Sequence, residues 1–211
     1  MNSNIALELI KSKGNHGSEE ASEIVISDPS LLPSIINAVN SISKGVKNSS
    51  IKTLNIISEK KPQLIYDEFK FIHNLLDCKD NILKWNATII IGNLAETDSQ
   101  NKIDKVYGKL IKQLFDETLI TAANTVGSIW KIANCKPHLE REITRNLLKI
   151  DSIIRNEECQ RILAGKTILA FGNYFEKITD KPGAIKYARS HLNSKRNATA
   201  KKAEKFIRKW G

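Results

Sequence analysis

A chain of 211 residues, 41% hydrophobic, can bury one sizeable core or one array of small stacked units, and its 10 glycines and 5 prolines are few enough to suit helices. No run of about 18 apolar residues is present, which argues against membrane insertion, and the start MNSNIALELIKSKGNHG lacks the regions of a secretory signal, so the expected location is cytoplasmic. The formal charge of +10 is uneven: residues 1–160 hold 20 basic and 20 acidic side chains, whereas residues 161–211 hold 13 and 3, an asymmetry that points to an anionic partner.

In chain order, residues 1–17 read as an N-terminal helix or arm, and a repeated domain is expected over 18–211, with 195–211 as a basic capping helix. Two kinds of helix alternate. The first kind is best seen in KDNILKWNATIIIGNLAETDS (79–99), where Asn81 offers a cap and Leu83, Ala87, Ile90, Ile91 and Leu94 return at spacings of three and four. Shifted by 35, the same phase recurs as Ala122, Val126 and Gly127; shifted by a further 45, as Thr167, Phe171 and Gly172. Upstream, Thr53, Ile57 and Ser58 lie 34 residues earlier, and RNATAKKAEKFIRKW opens a final copy. The second kind carries one apolar stripe and is expected over 29–42, 63–78, 101–117, 137–150 and 180–194. Asp28-Pro29, Lys61-Pro62, Lys136-Pro137 and Lys181-Pro182 punctuate the joints. Gly92 and its counterparts leave room for a neighbouring helix to approach.

The unit is therefore an antiparallel helix pair repeated every 35 to 45 residues, which buries its apolar faces by stacking on its neighbours. The phrase L-K-x-x-A-x-x-I-I-G-x-L at 83–94 resembles the first-helix signature of HEAT repeats, and the chain is similar to microbial HEAT proteins with stretches like ILKWNA and LITAAN. The resemblance covers roughly residues 18–211 and implies an all-α, right-handed α-α superhelix, a HEAT-like solenoid of about five antiparallel helix pairs. Residues 51–60 depart from the signature in lacking its glycine, and a linker at 151–159 lengthens one repeat. HEAT arrays serve as scaffolds, receptors and nucleic-acid binders, so the likeness fixes architecture rather than function.

Several stretches invite catalytic readings that their surroundings oppose. Cys78, Cys135 and Cys159 are odd in number and widely spaced, against a disulfide framework, and the lone C-x-x-H of Cys135 and His138 lacks a second pair of metal ligands. GKT at 165–167 follows a helical pattern, not the strand and spaced glycine of a phosphate loop, so Gly165 is expected to relieve crowding between helices. His16, His73 and His191 are isolated in sequence, Glu157 and Glu158 suit helix capping, and Asp98 and Asp151 suit turns. Trp85, Trp130 and Trp210 raise the alternative of an alkylpurine DNA glycosylase-like repair enzyme, a HEAT-like fold with an Asp and aromatics on a basic surface. No stretch matches its motifs, and packing is the expected role of these tryptophans. No catalytic residue, cofactor site, metal site or small-molecule substrate is assigned.

The basic residues carry the strongest signal. The HEAT resemblance implies that second helices line the inner face, where Lys105, Lys109 and Lys112, then Arg141, Arg145 and Lys149, then Lys186 and Arg189 each share one helical side. Stacked in order they would form a positive track for DNA or RNA phosphates or an acidic protein segment. The opposing reading is a solvated face balanced by Asp104, Glu140 and Glu142. The expected function is a non-enzymatic binding module or scaffold. A third reading is a protein partner held by an asparagine-rich surface of Asn86, Asn93, Asn124 and Asn173.

Overall fold

The computed structural model describes residues 5–153 and 155–211. Among them the regular elements are all helical, and the chain divides after Lys102 into two compact units.

The first unit holds α1 (Ile5–Lys13), α2 (Gly17–Ser27), α3 (Leu32–Ala38), α4 (Lys44–Lys60), α5 (Pro62–Tyr66), α6 (Phe69–Asn74) and α7 (Asn81–Asn93). α2, α4 and α7 are the long helices, and α4 lies against both others, with α3 and α5 packed on α4 and α6 on α7. Their contact faces follow the three-and-four spacing: Ile51, Leu54 and Ile57 on α4 and Ala87, Ile90 and Ile91 on α7 are fully buried. α7 is capped by Asp80, one residue before the Asn81 expected from sequence. Its Oδ1 accepts from the amides of Ile82 (2.9 Å) and Leu83 (3.4 Å).

Two second-type helices of this unit are shorter than their patterns. The segment 29–42 is helical only as a 3₁₀ turn, Pro29–Leu31, and α3. The amides of Asn40 and Ser41 bond three residues back, each at 3.1 Å, and the winding tightens until Ile42 stands fully exposed. The segment 63–78 breaks between α5 and α6, where Glu68 N–H bonds to Ile65 O at 3.0 Å. The break seats Tyr66 and Phe69 in the core with their rings edge to face, centroids 6.4 Å apart.

The second unit, from Ile103 onward, holds α8 (Lys102–Leu114), α9 (Leu119–Cys135), α10 (Pro137–Leu148), α11 (Glu157–Tyr174), α12 (Lys181–Ser190) and α13 (Asn197–Trp210). α9, α11 and α13 lie side by side as one layer; α10 packs on α9 and α12 on α11 and α13 as the other. The expected linker at 151–159 is shorter than the sequence suggests: Asn156 Oδ1 accepts from Cys159 N (2.8 Å), so Glu157, Glu158 and Cys159 already form the first turn of α11. Ile154 lies outside the described residues. Pro137 and Pro182 stand in the first turns of α10 and α12, where a missing N–H costs no helical bond.

The core of this unit is aromatic. Phe171 meets Tyr187 edge to face at 5.7 Å, Phe175 meets Phe206 likewise at 5.4 Å, and Trp210 stacks on Phe175 at 4.6 Å. Gly165 is where α11 and α13 close up: a Cβ there would lie 2.7 Å from Thr199 Oγ1, whose hydroxyl donates to Arg161 O at 2.7 Å. Gly165, Lys166 and Thr167 thus sit inside one continuous helix, as the helical pattern indicates, rather than in a phosphate loop. Gly127, in contrast, is exposed, and only Lys166 Nζ, at 3.8 Å, would come near a Cβ there.

Candidate functional site

Three amphipathic helices of the second unit carry the basic residues. On α8 the apolar stripe Ile103, Val106, Tyr107, Leu110 and Leu114 is buried, which turns Lys105 and Lys112 to solvent and leaves Lys109 half-buried. On α10, burial of Ile143 and Leu147 exposes Arg141 and Arg145, with Lys149 exposed just beyond the helix; on α12, burial of Ala184, Tyr187 and Ala188 exposes Lys186 and Arg189. Among the described residues, Lys105, Lys112, Arg141, Arg145, Lys149, Lys186 and Arg189 form no ion pair. α8 and α10 also sense one another: burial raises the Tyr107 hydroxyl pKa well above its ordinary value, and the charges of Glu142 and Arg145 act on it from α10.

The acids expected to balance this face are mostly occupied elsewhere. Asp104 pairs with Lys136 Nζ at 2.8 Å and with His138 Nε2. Burial works to raise its carboxyl pKa, but the hydrogen bonds and charges of Lys136 and His138 outweigh it and hold the group below its usual value. Glu140, 3% exposed, turns inward: its carboxylate accepts from the hydroxyls of Thr144 (2.7 Å) and Thr179 (2.5 Å) and from Thr179 N–H (3.2 Å). Thr144 continues the chain to Tyr174 OH at 2.8 Å. Glu142 alone of the three is exposed.

His138, of the C-x-x-H, and His191, isolated in sequence, both have acid partners about one repeat away. His138 meets Asp104, and His191 Nε2 lies 2.8 Å from Asp151 Oδ2, while Tyr187 OH donates to Asp151 Oδ1 at 2.8 Å. Asp151 lies in the 3₁₀ turn Ile150–Ser152, as a turn residue would, and its carboxylate also ties that turn to the end of α12. Asp98 combines both roles, accepting from Tyr66 OH (2.7 Å) and from Lys102 N–H (2.8 Å). Periodicity locates such residues at helix ends but not the partner a repeat distant.

The asparagine surface resolves into structure. Asn86 is 2% exposed; Asn55 Nδ2 donates to its Oδ1 at 3.0 Å, and Asn93 Nδ2 donates to Ser58 Oγ at 2.9 Å, so both residues join α4 to α7. Of the four, Asn173 alone is exposed. Trp130 donates its indole N–H to Gly127 O at 2.9 Å on its own helix, and Trp210 stacks on Phe175 in a packing role. Among the described residues no three His, Cys, Asp or Glu side chains are grouped to hold a metal ion, and no helix is long and apolar enough to cross a membrane.

The sequence matches no model of a known protein family and no curated protein. Solved structures match over the whole chain. A designed armadillo repeat protein superposes with a TM-score of 0.65 at 19% identity, covering 100% of this chain and 95% of its own. Another, in complex with the peptide (KR)4, gives 0.66 at 15% identity with 100% of both chains covered. A third, computationally designed for modular peptide recognition, gives 0.59 at 17%, covering 99% and 90%. At such identities the likeness establishes the fold: an all-α solenoid of armadillo/HEAT type.

Proposed function

We propose that this protein is a non-enzymatic repeat module that binds an anionic partner, a nucleic-acid backbone or an acidic protein segment, through Lys105, Lys109, Lys112, Arg141, Arg145, Lys149, Lys186 and Arg189. One observation carries the reading. Of the acids available to neutralise these side chains, Asp104 is committed to Lys136 and His138 and Glu140 is buried against Thr144 and Thr179. A face balanced by its own carboxylates would have little to offer a ligand; here Glu142 is the one of the three that stays exposed, and Lys105, Lys112, Arg141, Arg145, Lys149, Lys186 and Arg189 form no ion pair among the described residues. A designed protein of the same fold holds the cationic peptide (KR)4. The exposed basic residues on α8, α10 and α12 carry the same sign of charge as that peptide, which here favours an anionic ligand instead.

Fluorescence anisotropy with labelled duplex DNA, single-stranded RNA and a poly-glutamate peptide, over roughly 50 to 200 mM salt, tests the proposal. Binding to at least one of them should weaken steeply as salt rises, and the K109E/R145E/R189E variant should lose it. Equal affinity in that variant would sink the reading, and the arm that binds tightest names the partner class.

A further inference from the structure

The other helix layer of the second unit bears a groove of about 220 Å³ between α11 and α13. Its apolar surface is Leu169, 47% exposed, with Gly172, Phe206 and Trp210. The Trp210 wall is fixed by its stack on Phe175. Lys202, Lys205 and Lys209, spaced to share one face of α13, stand along the opposite rim. None of the three forms an ion pair among the described residues; Glu157 and Glu158 pair with Arg161 and Arg196 and Glu176 with Lys181, while Glu204 on α13 itself is exposed to solvent. Cations are crowded here, since Lys166 and Arg196, together with burial, which is the larger cause, lower the Lys202 ammonium pKa.

We propose that this groove docks an acidic peptide segment that inserts one large apolar side chain between α11 and α13. The argument is complementarity of two kinds in one place. An apolar floor with a fixed aromatic wall takes an aliphatic or aromatic anchor, and Lys202 and Lys205, with Lys209, whose ammonium lies 4.3 Å from the Trp210 ring centroid, select carboxylates flanking it. Gly172 keeps the groove open. A Cβ there would meet Phe206 Cδ2 at an ordinary 3.7 Å, so alanine fits, whereas a larger side chain would grow into the space the anchor needs. The site is separate from the basic face of α8, α10 and α12, and it stands or falls independently of that face.

The probe is a fluorescein-labelled peptide with a Leu-Phe pair flanked on both sides by Asp and Glu, read by anisotropy on the full chain. A control peptide carries Ser-Ser in place of Leu-Phe. The control should bind at least about tenfold more weakly, the loss expected for one buried apolar side chain. K205E/K209E should weaken the probe about tenfold, as two reversed exposed charges would. Gly172→Leu should do the same without changing any charge, while Gly172→Ala and K109E/R145E/R189E should bind as the parent does. Thermal melting confirms that each variant is folded, and the exposed lysine pair serves if Gly172→Leu does not fold. The proposal is overturned if the parent shows no saturable binding, if probe and control bind alike, or if the loss follows the α8, α10 and α12 variant instead.

Discussion

The two units share one helix-pair plan and differ in what holds adjacent repeats together. Residues 1–102 carry 11 basic and 12 acidic side chains, and residues 103–211 carry 22 and 11. In the first unit the joint between long helices is polar. Asn55, Asn86, Asn93 and Ser58 hydrogen bond across α4 and α7, and Lys47 pairs with Asp80 at the helix start. In the second unit polar contacts also occur, such as Glu140 with Thr179 and Asp151 with Tyr187, but the joint among α11, α12 and α13 adds an aromatic cluster of Phe171, Phe175, Tyr187, Phe206 and Trp210 that the α4–α7 joint lacks. A repeat can thus be closed by directional hydrogen bonds or by apolar area.

The contrast can be broken at its strongest point first. Phe171→Ala removes a fully buried ring at the α11–α12 contact, and should cost about 3–5 kcal/mol in urea unfolding, with hydrogen exchange rising across the second unit rather than the first. Gly165→Ala drives a Cβ onto Thr199 and should cost about 1–3 kcal/mol by the same measurement, with the disturbance confined to α11 and α13. In the polar joint, Asn93→Leu removes the hydrogen bond that Ser58 Oγ accepts from α7, while that hydroxyl still donates to Asn55 O at 2.6 Å, so the expected loss is about 1 kcal/mol, with faster exchange in the first unit.

The smallest effect is at the α7 cap. Asp80→Ala should cost about 1 kcal/mol through the lost cap. The hydrogen bond from Lys47, more than any other influence, holds the Asp80 carboxyl below its ordinary value. Its folded pKa lies under its unfolded one, so the stabilisation is fully present above the ordinary carboxylate pKa of about 4 and is lost as pH falls through the depressed value. Acid titration of thermal stability should therefore show a smaller decline below pH of about 4 in the Ala variant than in the parent.

Much of the fold was legible because helix periodicity is local. Ala87, Ala122 and Thr167, matched by phase alone, are all fully buried, as are Ile91, Val126 and Phe171. Proline and aspartate at the joints marked where helices start. Less legible were features set by the neighbouring repeat: the break after Tyr66, whose hydroxyl reaches Asp98, and the inward turn of Glu140 toward Thr179. The eight cations of the proposed face could be read from spacing, but the removal of Asp104 and Glu140 from their balance could not. The α11–α13 groove was hidden for a similar reason, since its lysines read as the polar side of a terminal helix until Leu169 and Gly172 were seen opposite them.

The polar contacts between helices have a recurrent reach. Ser18 to Ser49, Asn55 to Asn86, Tyr66 to Asp98, Asp104 to His138, Asp151 to Tyr187 and Arg161 to Thr199 all join residues 31 to 38 apart. The chemistry varies along the chain, from hydroxyl to carbonyl, to amide with amide, to carboxylate with phenol or imidazole, so neighbouring repeats are matched to one another. Exchanging two repeats, or deleting one from the middle, would set many of these groups against partners that cannot answer them. The copies are no longer interchangeable parts, and the chain has become a single sentence rather than a repeated word.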